Sequence, residues 1–304
     1  MKNRVLVLMS TYNGGKYLRE QINSVFSQEG CDVDLLIRDD GSTDETLMIL
    51  KEFSESNSLS YYCGNNMQSA KSFMHLLINC DKTYDYYAFC DQDDVWDRDK
   101  LITAIQKLDG IKAPALYCGN AQLVDSKLQT LNSTVYKKEM PISFKRVLIA
   151  GEIQGATMVM NRSLACYFSG KDVPKYLPMH DYYVAAVCGA IGGEYVFDFS
   201  SHMKYRQHQS NVLGVSVSIK DKVKRNVFRI IKKNSFSDLE LFSKQLLNDF
   251  DREMSHENLK YVEMTADYRK KFISRIQLAL DCNLKFGSIN QELTYRISLL
   301  LGNI

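Results

Sequence analysis

Apolar-rich runs at residues 5–9, 33–38, 59–63 and 84–90 alternate with stretches whose apolar residues recur every three or four positions. Leu18, Ile22, Val25 and Phe26 form one such series, and Leu47, Leu50 and Phe53 another. A period near 3.6 marks an amphipathic helix, and a short unbroken apolar run marks a strand buried on both faces. Strands that alternate with helices can satisfy their backbone and bury both faces in few ways, chiefly as a parallel, doubly wound α/β sheet. The order also fixes where a ligand would sit, because such sheets bind at the carboxyl ends of their strands. Three polar clusters fall at that edge: "STYN" at 10–13, "RDDGS" at 38–42 and "DQDD" at 91–94. Ser42 and Glu45 have capping-box spacing and are expected to open the second helix.

Beyond these units the spacing predicts a helix near 69–79, a helix after Asp99, a strand near 115–120 and a helix within 179–193. From about residue 212 the chain becomes long, charged and helix-forming, so two parts are expected, an α/β domain over 1–212 and a helical region over 213–304. The first 210 residues hold 22 basic against 25 acidic side chains, whereas the last 94 hold 16 against 11. That balance does not point to nucleic acid as partner. Eight scattered cysteines without a CxxC pair read as reduced thiols in a cytoplasmic protein. The run at 5–9 is too short for a signal peptide and no run has the length of a membrane span.

The acid cluster within 91–99 raises the chemical question. Two carboxylates ~6 Å apart repel by roughly 3 kcal/mol at an effective dielectric near 20. Such a group either fans into water or shares a cation. Three mechanisms place Asp-x-Asp at a strand end: a dehalogenase-type phosphatase, a receiver domain, and a nucleotide-sugar transferase holding a divalent cation on a diphosphate. The first two put their acids after earlier strands than the fourth, where they stand here.

In order and spacing, "STYNGGKYLREQINSVFSQ", "IRDDGSTDET" and "FCDQDDVWDRDKL" together resemble the family-two glycosyltransferases of GT-A fold. The resemblance covers roughly residues 3–212 and is greatest to a bacterial polysaccharide subgroup with an Asp-Gln-Asp-Asp-x-Trp signature, many members of which are described as rhamnosyltransferases. It implies an inverting, metal-dependent transfer from a dTDP- or UDP-sugar, with rhamnose the single sugar chosen, to an oligosaccharide acceptor expected to be lipid-linked. It places Thr11, Tyr12 and Asn13 beside the nucleotide base, Glu20 near that pocket, and Asp40 on the pyrimidine ring. Asp91 is assigned to the ribose or metal shell, Asp93 to the Mn²⁺ or Mg²⁺ ion directly, and His208 and Arg206, in "YRQHQSN", to the metal and the phosphates. Asp181, in "MHDYY", takes the place of the general base, with His180 beside it on the acceptor side. Gln154, Gly155 and Ala156 match a turn that approaches the donor sugar, and Trp96 lines a pocket or packs in the core. Asp97 and Asp99 are expected to begin a helix.

One departure stands out. Where many relatives have Asn-x-Gly-x-x-x-Asn-Phe this chain reads "NMQSAKSF", so Gln68 and Ser72 replace a glycine and an asparagine, while Lys71 remains within reach of phosphate. Residues 218–233 carry seven basic residues and one acid among apolar ones, which reads either as a basic amphipathic helix on an anionic leaflet or as a solvated helix. Homo-oligomerisation is left open. Other function classes compatible with the residues are transfer from a UDP-hexose or UDP-N-acetylhexosamine, a phosphohydrolase using Asp91 as nucleophile, and a non-catalytic nucleotide-sugar binder.

Overall fold

The computed structural model describes residues 2–56, 59–139, 141–151, 153–208 and 238–304. The basic stretch 218–233 lies outside the described residues. Strand β1 (Asn3–Thr11) sits inside the sheet with β2 (Cys31–Asp39) on one side and β4 (Tyr86–Cys90) on the other, all parallel, and β3 (Leu59–Cys63) extends the sheet beyond β2. Its alternation serves two cores: Val5, Val7 and Met9 face one side and Leu6 and Leu8 the other, all five almost fully buried. Helices α1 (Gly15–Phe26), α2 (Thr46–Ser56) and α3 (Ser69–Asn79) supply the crossovers, as the periodicity predicts.

Register brings the polar turns together. Thr11 lies opposite Asp39, and Met9 opposite Cys90, so the turns after β1, β2 and β4 emerge at one edge.

The sheet then changes character. β8 (Val159–Asn161) pairs antiparallel with both β4 and β6 (Ala115–Val124), and β9 (Glu194–Arg206) runs parallel to β6. The hairpin partner of β6 is β7 (Thr130–Thr134), and the two-residue β5 (Val95–Trp96) pairs antiparallel with β9. The sheet is thus parallel over β3, β2, β1 and β4 and mixed beyond them, in a doubly wound α/β architecture as expected. The β5–β9 pairing ties the acid loop to the end of β9, from which Arg206 and His208 project.

Helix α4 (Lys100–Leu108) follows the acid loop, with Asp99 as its N-cap residue; the Asp99 carboxylate goes to His202 Nδ1 at 2.9 Å instead of to the helix. The capping box expected at Ser42 is not formed. Helix α2 starts at Thr46, and Asp44 meets its first turn by accepting from Thr46 N and Oγ1; Ser42 Oγ accepts instead from Asn13 N at 2.9 Å and donates to Asp39.

Helices α5 (Phe144–Ala150), α6 (Arg162–Cys166) and α7 (His180–Ala190) complete the first part. The C-terminal region is helical: α8 (Leu239–Phe250), α9 (His256–Ala266), α10 (Phe272–Leu280) and α11 (Ile289–Leu301). Its apolar side chains share a core with α7; Phe242 stacks on Tyr182 at 4.0 Å between ring centroids, and Tyr183 donates to Asp249. No helix among the described residues is long and apolar enough to cross a membrane.

Candidate active site

A cavity of about 1440 Å³ opens at the edge where the three turns meet. Tyr12, Asn13, Asp91, Gln92, Asp93, Gln154, Gly155, His180, Asp181 and His208 all line it, with Arg146 from α5 and Phe286, Ser288 and Gln291 from around the start of α11.

The first wall is built by side chains that bind backbone. Asn13 adopts φ +48°, a left-handed conformation that asparagine tolerates, and its side-chain Oδ1 accepts from Thr43 N at 2.8 Å. Gln92 clamps Tyr12 by accepting from its N–H at 3.0 Å and donating to its carbonyl at 3.2 Å. A Cβ on Gly14 would meet Gln92 Oε1 at 2.2 Å, so glycine is required for this clamp. The clamp leaves the Tyr12 ring half exposed at the cavity, suited to stack on a planar ligand.

The acid loop forms the floor. Asp93 Oδ2 lies 2.7 Å from His208 Nε2, and the His208 ring leans on Tyr17 with centroids 5.2 Å apart. Burial, then the neighbouring Asp93 and Asp181 charges, push the Asp91 carboxyl up to about 7. Asp91 and Asp93 therefore crowd one wall, and their like charges raise the cost of ionising Asp91. Among the described residues no three His, Cys, Asp or Glu side chains already surround one point. The donors at hand, two carboxylates and an imidazole, suit Mn²⁺ or Mg²⁺ in kind, with waters or ligand oxygens completing the shell.

Opposite the floor stands Asp181, in the first turn of α7. Its Oδ1 accepts from Tyr182 N at 2.7 Å and its Oδ2 from Gly155 N at 2.9 Å. Burial raises the carboxyl to about 6, against these bonds, which favour the charge. Gly155 is glycine for a reason: a Cβ there would stand 2.9 Å from His180 Nε2 and 3.1 Å from Asp181 Oδ2. His180 stacks on Phe73 at 4.1 Å and meets Phe89 edge-on at 4.8 Å. Its burial lowers the imidazole to about 3, so the ring is neutral.

Several expected residues stand away from the cavity wall. Trp96 is 3 % exposed in a core cluster with Leu101 and Met203, with Lys100 Nζ 3.7 Å above its ring; it is a packing residue, not a pocket residue, because β5 pairs with β9 and turns the indole inward. Arg206 corrects a second expectation. It is buried, not poised to clamp phosphate: its N–H donates to Asp94 Oδ1 at 2.9 Å, Nε to the Asp93 carbonyl at 2.7 Å, Nη1 to the Ser126 carbonyl at 2.9 Å, and Nη2 to Glu20. The guanidinium thus straps the acid loop, and Glu20 serves Arg206 rather than facing the cavity. Thr11 is fully buried with Oγ1 on Asp39; Asp40 is buried against Arg38 and accepts from Met67 N at 3.2 Å. Ala156 packs in the core, and Lys71 is exposed to solvent on α3.

The structure also adds residues that sequence reasoning missed. Tyr17 carries the Arg206 guanidinium at 4.4 Å on its ring as well as touching His208, and Tyr205, Tyr182 and Arg146 complete the wall. Beyond motif membership, no local signal distinguishes them from ordinary helix and strand residues. Tyr17, Tyr182, Tyr205 and Gln92 stand inside the quoted motifs, so motif membership is the one signal that could have found them. Gln68, where the family resemblance would put a glycine, has φ +70° and ψ 153°, backbone that glycine adopts at little cost and glutamine does not.

Relatives and solved structures bear on this geometry. The chain is 30% identical over 231 residues to a dTDP-rhamnosyl transferase, RfbG, of Shigella flexneri, covering 71% of this chain and 77% of that one. It is 28% identical over 227 residues to the UDP-Glc:alpha-D-GlcNAc-diphosphoundecaprenol beta-1,3-glucosyltransferase WfgD of Escherichia coli, covering 69% and 85%. In fold it resembles the crystal structure of S. aureus TarS 1-349 in complex with UDP-GlcNAc, with TM-score 0.55 at 16% identity, over 100% of this chain and 89% of that one. Residues 6–168, which include most of β1, the acid loop and the Gly155 turn, match the model of Glycosyl transferase family 2, and the chain belongs to that family.

Proposed function

We propose that the chain transfers a sugar from a nucleoside diphosphate, dTDP-rhamnose in first place, to a surface-polysaccharide acceptor, with inversion at the anomeric carbon. The observation that carries this reading is Asp181, held by two backbone N–H groups in the wall of the cavity that also contains Asp91 and Asp93. A carboxylate raised to about 6 is ionised at neutral pH yet basic enough to share the proton of an attacking hydroxyl. The acceptor oxygen attacks the anomeric carbon as Asp181 takes that proton; the bond from this carbon to the diphosphate oxygen breaks on the opposite face. Asp91, Asp93 and His208 would hold a Mn²⁺ or Mg²⁺ ion, which when bound neutralises the departing diphosphate. Tyr12 and Asn13 offer a ring and a backbone edge to the base, and Gly155 leaves room for the sugar beside Asp181.

The donor preference rests on RfbG, which is described as a dTDP-rhamnosyl transferase. A UDP-hexose or UDP-N-acetylhexosamine is the second reading, favoured by WfgD, which is described with UDP-Glc and a lipid diphosphate acceptor. Action on a lipid-linked acceptor follows the same relative. A phosphohydrolase with Asp91 as nucleophile is disfavoured, because the chain matches Glycosyl transferase family 2 over residues 6–168, acid loop included.

The test is a panel of nucleotide sugars with Mn²⁺ or Mg²⁺, read by thermal stabilisation and by transfer. A true donor raises the melting temperature through linkage. Asp181→Asn should keep donor binding and lose transfer; absence of binding by every dTDP- and UDP-sugar would overturn the proposal.

A further inference from the structure

Helices α10 and α11 pack as a hairpin, burying Ser274, Leu278 and Ala279 on one and Tyr295, Ser298 and Leu299 on the other. Their opposite sides are apolar too. Phe272, Ile273 and Leu280 are 65, 71 and 73% exposed, and Ile289, Leu293 and Leu301 are 85, 56 and 53% exposed. With Leu300, seven of the 12 large exposed hydrophobic residues among the described residues fall on these two adjacent helices, a concentration called the ridge below. Spacing agrees: 273 and 280, and 289, 293 and 300, repeat at intervals that keep one helix face.

Basic side chains stand at both ends of this ridge. Lys270 and Lys271, 73 and 66% exposed, precede α10, and the exposed Lys285 lies in the loop to α11. Asp267 lies 3.8 and 3.6 Å from the two lysines and offsets one of them; Asp281 and Glu292 are engaged inward, by Lys145 at 2.8 Å and Arg296 at 3.0 Å. The ridge also runs up to the catalytic cavity, since Ser288 and Gln291 line that cavity while Ile289 between them faces outward.

We propose that this ridge is a membrane-docking surface whose occupant is the interface of an anionic bilayer. Apolar side chains would enter the headgroup boundary, and the lysines at either end would reach phosphates with their stems along it. A second copy of the chain fits less well. Pairing this ridge with itself sets lysines against lysines whichever way the hairpins run, whereas an anionic leaflet complements both ends. Docked in this way, the start of α11 would bring the acceptor side of the cavity to the membrane. That last consequence rests on the proposed transfer to a lipid-linked acceptor; the docking itself does not.

The experiment is flotation of the full chain with vesicles of phosphatidylcholine alone and of phosphatidylcholine with phosphatidylglycerol. Binding to the anionic vesicles should exceed binding to the neutral ones and should fall about tenfold or more in Ile289→Glu/Leu293→Glu. Lys270→Glu or Lys285→Glu should cost about fivefold each in the anionic vesicles alone. Leu280→Glu provides a second apolar variant should the double one melt early. Transfer to a water-soluble acceptor should be unchanged in all of them, and wild-type flotation without any transfer would count against the transferase reading while leaving the docking surface standing. Equal flotation of wild type and both apolar variants, or a dimer in light scattering that Ile289→Glu/Leu293→Glu splits, would overturn the proposal.

Discussion

Replacing Asp181 with asparagine should remove transfer, and it should also change how stability depends on pH. Burial holds this carboxyl at about 6 in the folded chain, from an ordinary value of 3.8. The folded state therefore binds the proton more tightly than the unfolded state. That contribution to stability is fully present below about pH 4 and is lost as pH rises through about 6. A rise of this size corresponds to about 3 kcal/mol at most. Partial solvent access at the cavity makes about 1–3 kcal/mol the working range. The asparagine variant lacks this contribution. It also keeps one acceptor oxygen for two backbone N–H donors, those of Tyr182 and Gly155, a loss of about 1 kcal/mol that does not vary with pH. The observable is thus the difference in melting temperature between Asp181→Asn and wild type, followed from pH 4 to 7.5 in buffer with a chelator. It should move in favour of the variant by roughly 2–6 °C across that interval. Removal of the charge also relieves Asp91, which adds in the same direction. A difference flat within a degree would mean that the carboxyl is well hydrated, and the argument that it is a tuned base would fail with it. In the wild type, transfer itself should fall below about pH 6 with the slope of one proton, as the base becomes protonated.

Three further outcomes are expected. Gln68→Gly, which relieves a backbone at φ +70°, should stabilise the chain by about 1 kcal/mol, seen as a higher urea midpoint; a lower midpoint would mean that the glutamine is not strained. Arg206→Met should destabilise by about 2–4 kcal/mol, because it leaves the Glu20 carboxylate and the Asp93 and Ser126 carbonyls without their donor, and it should weaken Mn²⁺ binding measured by titration of the free ion's spin resonance. Gly155→Ala should lower kcat at least about tenfold with little change in donor affinity, since its Cβ would press on Asp181 and His180; unchanged kcat would show that the pair has room to shift.

Much of this is legible in the chain. The apolar alternation of β1 and the spacing of Leu18, Ile22 and Val25 specify their elements locally, and motif order puts three polar turns on one edge. What escapes depends on distant partners. β8 is three residues long and is a strand only because β4 and β6 flank it. Trp96 is core because Met203 lies opposite it in β9, more than 100 residues away. Arg206 reads as a phosphate ligand in its motif, yet Glu20, 186 residues earlier, and two carbonyls claim its donors. Ser42 yields its capping role to Asp44 because its hydroxyl completes the turn between Asn13 and Asp39.

The walls of the cavity have different origins in the chain. Tyr12, Asp91, Asp93 and Gly155 come from the segment that matches the family, whereas Phe286, Ser288 and Gln291 come from a helical hairpin more than 100 residues beyond its end. Under the proposed function, donor contacts would come largely from the first segment and part of the acceptor side from the hairpin. A chimera that keeps 1–280 and borrows the last helix from a relative would test whether that helix sets which acceptor is used.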